Sequence, residues 1–379
     1  MSNIKVSIVM PSLNVRDYIE QCMDSVLAQT LKDIEVICVD AGSTDGTLEI
    51  LEEYVKKDKR VSIINSDKKS YGYQMNLGFN AAQGEYFGII ETDDYAEPSM
   101  FEKLYNKAKE DDADVVKSGF FYYWSKPTER NEASPVASPS MCSKVFCPTT
   151  DFKSPLEQAE FFNIKPTIWS AIYKKDFIRD NNITFNETPG ASYQDASFNF
   201  KVFAKAKRVR LVEDCYLHYR QDNENSSINS PGKVFCVCDE YEEMERFLKA
   251  NPELSLEGVR LRLKYDSYIW NYERLSTELK LQFLPKASEE FKSDIEAGYV
   301  KPEYFPGYKY DTLHFIADDP MGYHEWREKN DNSPLPTSKP GETRIQQVIR
   351  LTKTVLKTIK ANGFIYTARE IAIRIKRHF

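Results

Sequence analysis

The sequence predicts an α/β protein in which a mostly parallel sheet is flanked by helices. Short apolar runs alternate with amphipathic stretches over the first 120 residues, the rhythm of βαβ units. Pro, Asn and Gly punctuate the ends of those runs. The composition, 41% hydrophobic and 29% charged over 379 residues, is that of a folded chain and excludes a wholly disordered or collagen-like one. At roughly 150 residues per domain, two to three domains are expected. No run of ~18 apolar residues predicts a transmembrane helix. The opening MSNIKVSIVMPSLN lacks the basic, long-apolar character of a secretory signal, so the cytoplasm is the expected location.

The elements follow in order. VSIVMPSL reads as a buried strand ended by Pro and Asn. RDYIEQCMDSVLAQT carries Ile19, Met23, Val26 and Leu27 at helical spacing. IEVICVD is a second strand, and TLEILEEYVKK a helix that begins after Ser43-Thr44-Asp45-Gly46. VSIINS, the helical MNLGFNAAQ and the strand EYFGIIETDD continue the rhythm. Residues 125–155 are rich in Pro, Ser and Thr and read as a long loop. An aromatic helix–strand stretch spans 160–230, a helical pattern 235–295, and a Pro- and Tyr-rich irregular linker 300–340. Seven cysteines, most inside apolar runs, fit a reduced compartment, and neither Cys142/Cys147 nor Cys236/Cys238 has a zinc-spaced partner.

Ligands of such sheets sit beyond the carboxyl ends of the strands. Three loops lie there: Pro11–Asn14, Asp40–Gly46 and Glu91–Asp94. The last packs three carboxylates, Glu91, Asp93 and Asp94, into four residues. Such crowding needs a cation or hydrogen-bond donors. Oxygen ligands in a short turn suit Mg²⁺ or Mn²⁺, while Asp94 alone would serve as a helix N-cap. Asp40 begins a hydroxyl-rich turn that is either ligand-binding or a simple cap through Ser43 or Asp45.

PSLN, VDAGSTDGT and N-x-G-x-x-x-A-x-G-E-Y, running into the acidic strand end, resemble the nucleotide-binding half of family 2 glycosyltransferases. TIWSAIYKKDFI, YQDASFNFKVFAKA and YLHYRQDNENSS are similar to the acceptor half of that family. The resemblance implies a GT-A fold and an inverting, metal-dependent transfer from a nucleotide-diphospho-sugar. A UDP-sugar is the expected donor, and a hydroxyl of a glycan or lipid-linked precursor of capsule or other surface polysaccharide the expected acceptor. On that basis residues 1–230 form the catalytic domain, with 1–120 the nucleotide half and 121–230 the acceptor half. Residues 231–335 form a helical accessory region and 336–379 basic amphipathic helices.

The resemblance also assigns roles. Pro11, Ser12 and Asn14 would line the nucleotide pocket, Asp40 would meet the uracil or its ribose, and Asp45 would support the loop. Glu91, Thr92 and Asp93 occupy the D-x-D positions, with Asp93 and then Glu91 as metal ligands for Mn²⁺ or Mg²⁺. Asp195 falls at the catalytic base, and its alternative is a helix N-cap. His218 and Arg220 would lie near the diphosphate, or else serve as a half-buried strand residue and a surface ion pair. Trp169 and Tyr173 read as core, though an aromatic also forms a sugar platform.

The chain departs from the family pattern at Ala41, Met75, Glu91 and Gln194, where Asp, Arg, Asp and Glu are usual. A rival reading is therefore a catalytically degenerate binding subunit of a glycan-assembly complex. Charge is uneven along the chain: net −7 overall divides into −14 before residue 341 and +7 after it. The stretch 343–379 places Ile345, Val348, Ile349, Val355, Leu356 and Ile359 on one helical stripe and Arg350, Lys353, Lys357 and Lys360 on another. That suits the inner face of an anionic membrane, or else the protein's own acidic body. An acidic body with no recognisable module excludes nucleic acid as a partner.

Overall fold

The computed structural model describes residues 4–191, 193–223 and 233–330. Its strands are β1 (Val6–Ser12), β2 (Ile34–Asp40), β3 (Val61–Asn65), β4 (Tyr86–Ile89), β5 (Tyr95–Ala96), β6 (Val115–Trp124), β7 (Arg130–Ser134), β8 (Val145–Phe146), β9 (Ala171–Lys174) and β10 (Val209–Arg220). Among them run α1 (Arg16–Leu27), α2 (Thr47–Lys57), α3 (Tyr71–Ala81), α4 (Met100–Asp111), α5 (Pro139–Cys142), α6 (Pro155–Phe162), α7 (Lys175–Asp180), α8 (Gln194–Lys205) and α9 (Cys236–Ala250). Four more helices follow: α10 (Glu257–Arg274), α11 (Thr277–Glu296), α12 (Gly307–Asp318) and α13 (Pro320–Lys329). The chain divides into two units, one holding most residues up to Leu256 and the other mostly residues from Glu257 onward.

In the first unit the sheet runs β3-β2-β1-β4-β9-β6-β10-β5, with β7 beside β6 and β8 beside β10. The pairs β1–β2, β2–β3, β1–β4 and β6–β10 are parallel, and β9 is antiparallel to both β4 and β6. The α/β class with a mostly parallel sheet is as the sequence predicts. The inner strands are buried on both faces, which is why β1 and β2 read as continuous apolar runs rather than alternating ones. Pro11 sits in β1 without harm: its nitrogen faces the β4 side, and the β1–β4 ladder has already ended at Val9 and Ile89. α3 packs on β1 and β2, and α4 on β6, β9 and β10.

Two expectations are corrected. The stretch 125–155 is not one loop: β7 and β8 lie within it, each held by a single neighbouring strand. The sequence hides β7 because RNEAS is mostly exposed and lacks an apolar face. Of the irregular linker expected over 300–340, residues 307–329 are instead α12 and α13, seated on Leu313, Ile316, Ala317 and Tyr323, and 331–340 lie outside the described residues.

The second unit is helical. Its buried charges are paired: Arg260 Nη2 reaches Asp294 at 2.7 Å, while Lys264 Nζ reaches Asp294 at 2.8 Å and Glu290 at 2.9 Å. No helix of the described residues is long and apolar enough to cross a membrane. The amphipathic reading of 343–379 falls outside the described residues.

Candidate active site

The carboxyl ends of β1 and β2 are joined by a hydrogen-bonded loop. Asp40 Oδ1 accepts from the amides of Gly42 and Ser43, both at 2.9 Å, and its Oδ2 from the Ser43 hydroxyl at 2.5 Å. Asp40 thus organises its own turn, and Gly42, at φ +81°, provides the left-handed residue the turn requires. Asn14 accepts from the Thr44 amide and donates its own amide to Ser43 Oγ, each at 2.9 Å. Asp45 accepts from the Thr47 amide and hydroxyl and from the Arg16 amide. Burial alone would raise the Asp45 carboxyl, but these bonds outweigh it and hold the group below its ordinary range. Ser12 is buried, and its hydroxyl has no hydrogen-bond partner among the described residues.

The acidic strand end follows β4. Thr92 donates to the Pro11 carbonyl at 2.8 Å, tying the acidic turn to β1. Tyr71, on the first turn of α3, donates its hydroxyl to Glu91 Oε1 at 2.6 Å. Glu91 keeps some solvent exposure yet lies deep enough that burial pushes its carboxyl up to about 8, with Asp93 and Asp195 adding to the rise. Asp93 Oδ2 accepts from Asn223 at 2.8 Å. Asp94 is buried; Oδ1 accepts the Arg220 amide at 2.8 Å, and Oδ2 has no partner among the described residues. Burial and the neighbouring Asp93 raise the Asp94 carboxyl well above its usual range.

Arg220, at the end of β10, donates Nε to the Asp93 carbonyl at 2.8 Å and Nη2 to Gln21 at 2.5 Å. Its guanidinium also lies over the rings of Tyr18 and Tyr123, at 4.8 and 4.9 Å. His218 is placed differently. It stacks on Tyr95 and Phe121 and bonds Asn131 at 2.7 Å and Glu97 at 2.9 Å, so both ring nitrogens are engaged away from the acidic turn. Burial lowers its pKa despite Glu97.

Asp195 lies in the first turn of α8, half-buried. Burial pushes its carboxyl up to about 6, against the pull of the Ala196 amide, its own amide, Lys117 and Lys165. The loop before it is strapped to α3. Tyr71 N donates to the Gly190 carbonyl at 3.0 Å, Gly190 N to Lys69 at 2.8 Å, and Ser70 Oγ to Thr188 at 2.7 Å. Gly72 lets this loop approach, since a Cβ there would stand 1.9 Å from the Asn186 carbonyl oxygen. Gln194, the first residue of α8, donates to Thr188 and Gly190 of that loop.

Burial raises the Tyr219 hydroxyl, and the nearby charges of Asp94, Asp93, Asp195 and Glu91 add to the rise, so all four carboxylates lie in its neighbourhood. Motif reading missed Tyr71, Lys117, Tyr219 and Asn223. Lys117 is buried on β6, with its ammonium on the Thr167 carbonyl (2.5 Å) and hydroxyl (2.8 Å). Burial pushes Lys117 down to about 7 even though Asp195 opposes it. An apolar strand with a single lysine was the only available signal for it. Of the aromatics, Trp169 and Tyr173 are both buried.

A mixed α/β sheet with a carboxylate cluster at one strand end and a further acid on a neighbouring helix is the architecture of a GT-A type glycosyltransferase. The family model "Glycosyl transferase family 2" matches residues 7–205, and the chain belongs to that family. Among curated relatives, the uncharacterized glycosyltransferase EpsJ of Bacillus subtilis (strain 168) is 32% identical over 228 residues, covering 60% of this chain and 64% of EpsJ. The cholesterol galactosyltransferase of Borreliella burgdorferi is 29% identical over 228 residues, covering 59% of this chain and 63% of that protein. The chain thus spans less than two thirds of the length of these relatives. Among solved structures, S. aureus TarS 1-349 in complex with UDP-GlcNAc superposes with a TM-score of 0.64 at 17% identity, covering 86% of this chain and 92% of TarS. That likeness shows the GT-A type of fold.

Proposed function

We propose that this chain is an inverting glycosyltransferase. It moves a sugar from a nucleotide-diphospho-sugar, a UDP-sugar, to a hydroxyl of a glycan or lipid-linked acceptor in surface polysaccharide assembly. The observation that carries this reading is that Tyr71 ties the acidic turn to the approach of Asp195: its hydroxyl holds Glu91 and its amide holds Gly190, in the loop that leads into α8, and the charges of Asp93 and Asp195 both reach Glu91. Asp195 serves as the base: a carboxyl near 6 is ionised at neutral pH yet basic enough to draw the acceptor proton. A single displacement with one base inverts the anomeric carbon and needs no second nucleophilic carboxylate. The UDP donor is supported by the family motifs and by the TarS complex, which holds UDP-GlcNAc.

The acidic turn suits a divalent cation. Glu91 and Asp93 each keep one oxygen without a hydrogen bond among the described residues, and Asp94 Oδ2 is an orphan beside them. No three His, Cys, Asp or Glu side chains of the described residues form a closed metal cage. Mg²⁺ or Mn²⁺ held by Asp93 and Glu91 would complete its shell with diphosphate oxygens and water, as small hard cations do. When bound, the ion would neutralise charge on the departing diphosphate. Arg220, held over the Asp93 carbonyl, brings a fixed positive charge to the same side.

The test is donor turnover in two variants. Asp195→Asn should lower transfer on the order of 10²–10⁴-fold while UDP affinity stays. Asp93→Ala should weaken metal-dependent UDP binding itself. Full transfer by both variants would overturn the assignment.

A further inference from the structure

The face of the sheet beyond Asp195 carries an aromatic strip with two cations resting on it. Phe120, Tyr122 and Trp124 alternate along β6 and so project to one face. Tyr219 of β10 stands opposite Tyr122, and Arg130 of β7 opposite Trp124. Centroids of Tyr122 lie 6.3 Å from Trp124 and 6.3 Å from Tyr219, and Trp169 closes the strip at 5.1 Å from Tyr219. Tyr122, Trp124 and Tyr219 are each partly open to solvent.

Lys165 and Arg130 are exposed, and neither forms an ion pair with a carboxylate among the described residues. Lys165 Nζ sits 4.6 Å from the Tyr122 centroid and donates to the Tyr122 hydroxyl at 2.5 Å. The Arg130 guanidinium lies 4.0 Å over Trp124. Glu132, opposite Tyr122, adds a carboxylate to the row. Asp222, near the end of β6, is taken by Ser125 and the Lys126 amide. In a chain of net charge −7, exposed cations held on rings rather than on acids are a feature to explain. A ring face holds a cation in place without neutralising it, which leaves the charge available to an incoming anion.

The strip continues from the base. Trp169, 5.1 Å from Tyr219, follows Ile168, whose carbonyl accepts from the Tyr173 hydroxyl, and Tyr173 packs edge-on against Phe198 of α8, the helix that carries Asp195. An acceptor whose hydroxyl meets Asp195 must lay the rest of its length on a neighbouring surface, and the acidic turn already belongs to the donor. Resting on the proposed transferase activity, we infer that this strip is the acceptor subsite and that its occupant is a saccharide or polyol chain bearing phosphate. Lys165 and Arg130 swing from the rings to hold the phosphate, and the freed faces of Tyr122 and Trp124 take the sugar or polyol carbons.

The experiment uses the full chain with saturating UDP, so that phosphate cannot enter the donor pocket, and reads tryptophan fluorescence against glycerol 3-phosphate and against glycerol. Glycerol 3-phosphate should bind well above glycerol. Lys165→Met and Arg130→Met should each weaken it about fivefold, and the double variant more than tenfold, with UDP affinity unchanged. Equal binding of the two probes, or variants that bind glycerol 3-phosphate like the parent, would overturn the subsite. So would capture by anionic phosphatidylglycerol vesicles that alone depends on the two cations, because the partner would then be a membrane. UDP binding is read separately, so failure of the donor reading is distinguishable from failure of the strip.

Discussion

Asp195 offers the sharpest prediction, because its environment fixes where activity should turn on. The carboxyl is held near 6 by burial, and the base works only when ionised. At saturating donor, kcat/KM for the acceptor should therefore fall about tenfold between pH 7 and pH 5, since the ionised fraction drops from roughly 0.9 to roughly 0.09. Lys117→Met removes a buried positive charge that favours the ionised form. The sign follows: the carboxyl rises further and the acid limb moves to higher pH, by about one unit. A radiolabelled-sugar transfer assay from pH 4.5 to 9 would read both limbs, with melting temperatures confirming that the variant is folded. An acid limb near 4 in the parent, or a Lys117→Met limb moved downward, would refute the reasoning.

Two further outcomes follow from named contacts. Glu91 is raised to about 8 from an unfolded value of 4.5, so the folded state holds the extra proton and stability of the ligand-free protein should fall as pH rises through that window. Glu91→Gln should flatten that fall, by on the order of 1 kcal/mol per pH unit, in urea melts at pH 5 and pH 8. Gly72→Ala forces its Cβ against the Asn186 carbonyl, so it should cost about 1–3 kcal/mol. It should also lower turnover at temperatures where the protein remains folded, because the displaced loop leads into the turn of α8 that carries Asp195; activity matching the parent would separate the strap from the base.

The strand–helix order at the start of the chain was readable because β1 and β2 are buried on both faces and end in polar turns, so pattern and punctuation coincide. Motif order pointed to Asp195, which the structure places in the first turn of α8. β7 and α13 were not: β7 is short and exposed, and α13 is broken up by Pro, Gly and His in a Tyr-rich stretch. Tyr71 and Lys117 were hidden for another reason. Nothing local marks them, and they reach Glu91 and Asp195 only because sheet order brings α3, β6 and α8 to one edge. His218 shows the converse, a motif position whose ring nitrogens are occupied by Asn131 and Glu97.

The most direct measurement is thermal stability with UDP, GDP, CDP and dTDP, each with and without Mn²⁺. A ligand selective for the folded state at about 100 times its Kd adds roughly 2.7 kcal/mol. UDP should give that gain, greatest with Mn²⁺ and lost in Asp93→Ala. No stabilisation by any nucleotide, with or without the metal, would contradict it.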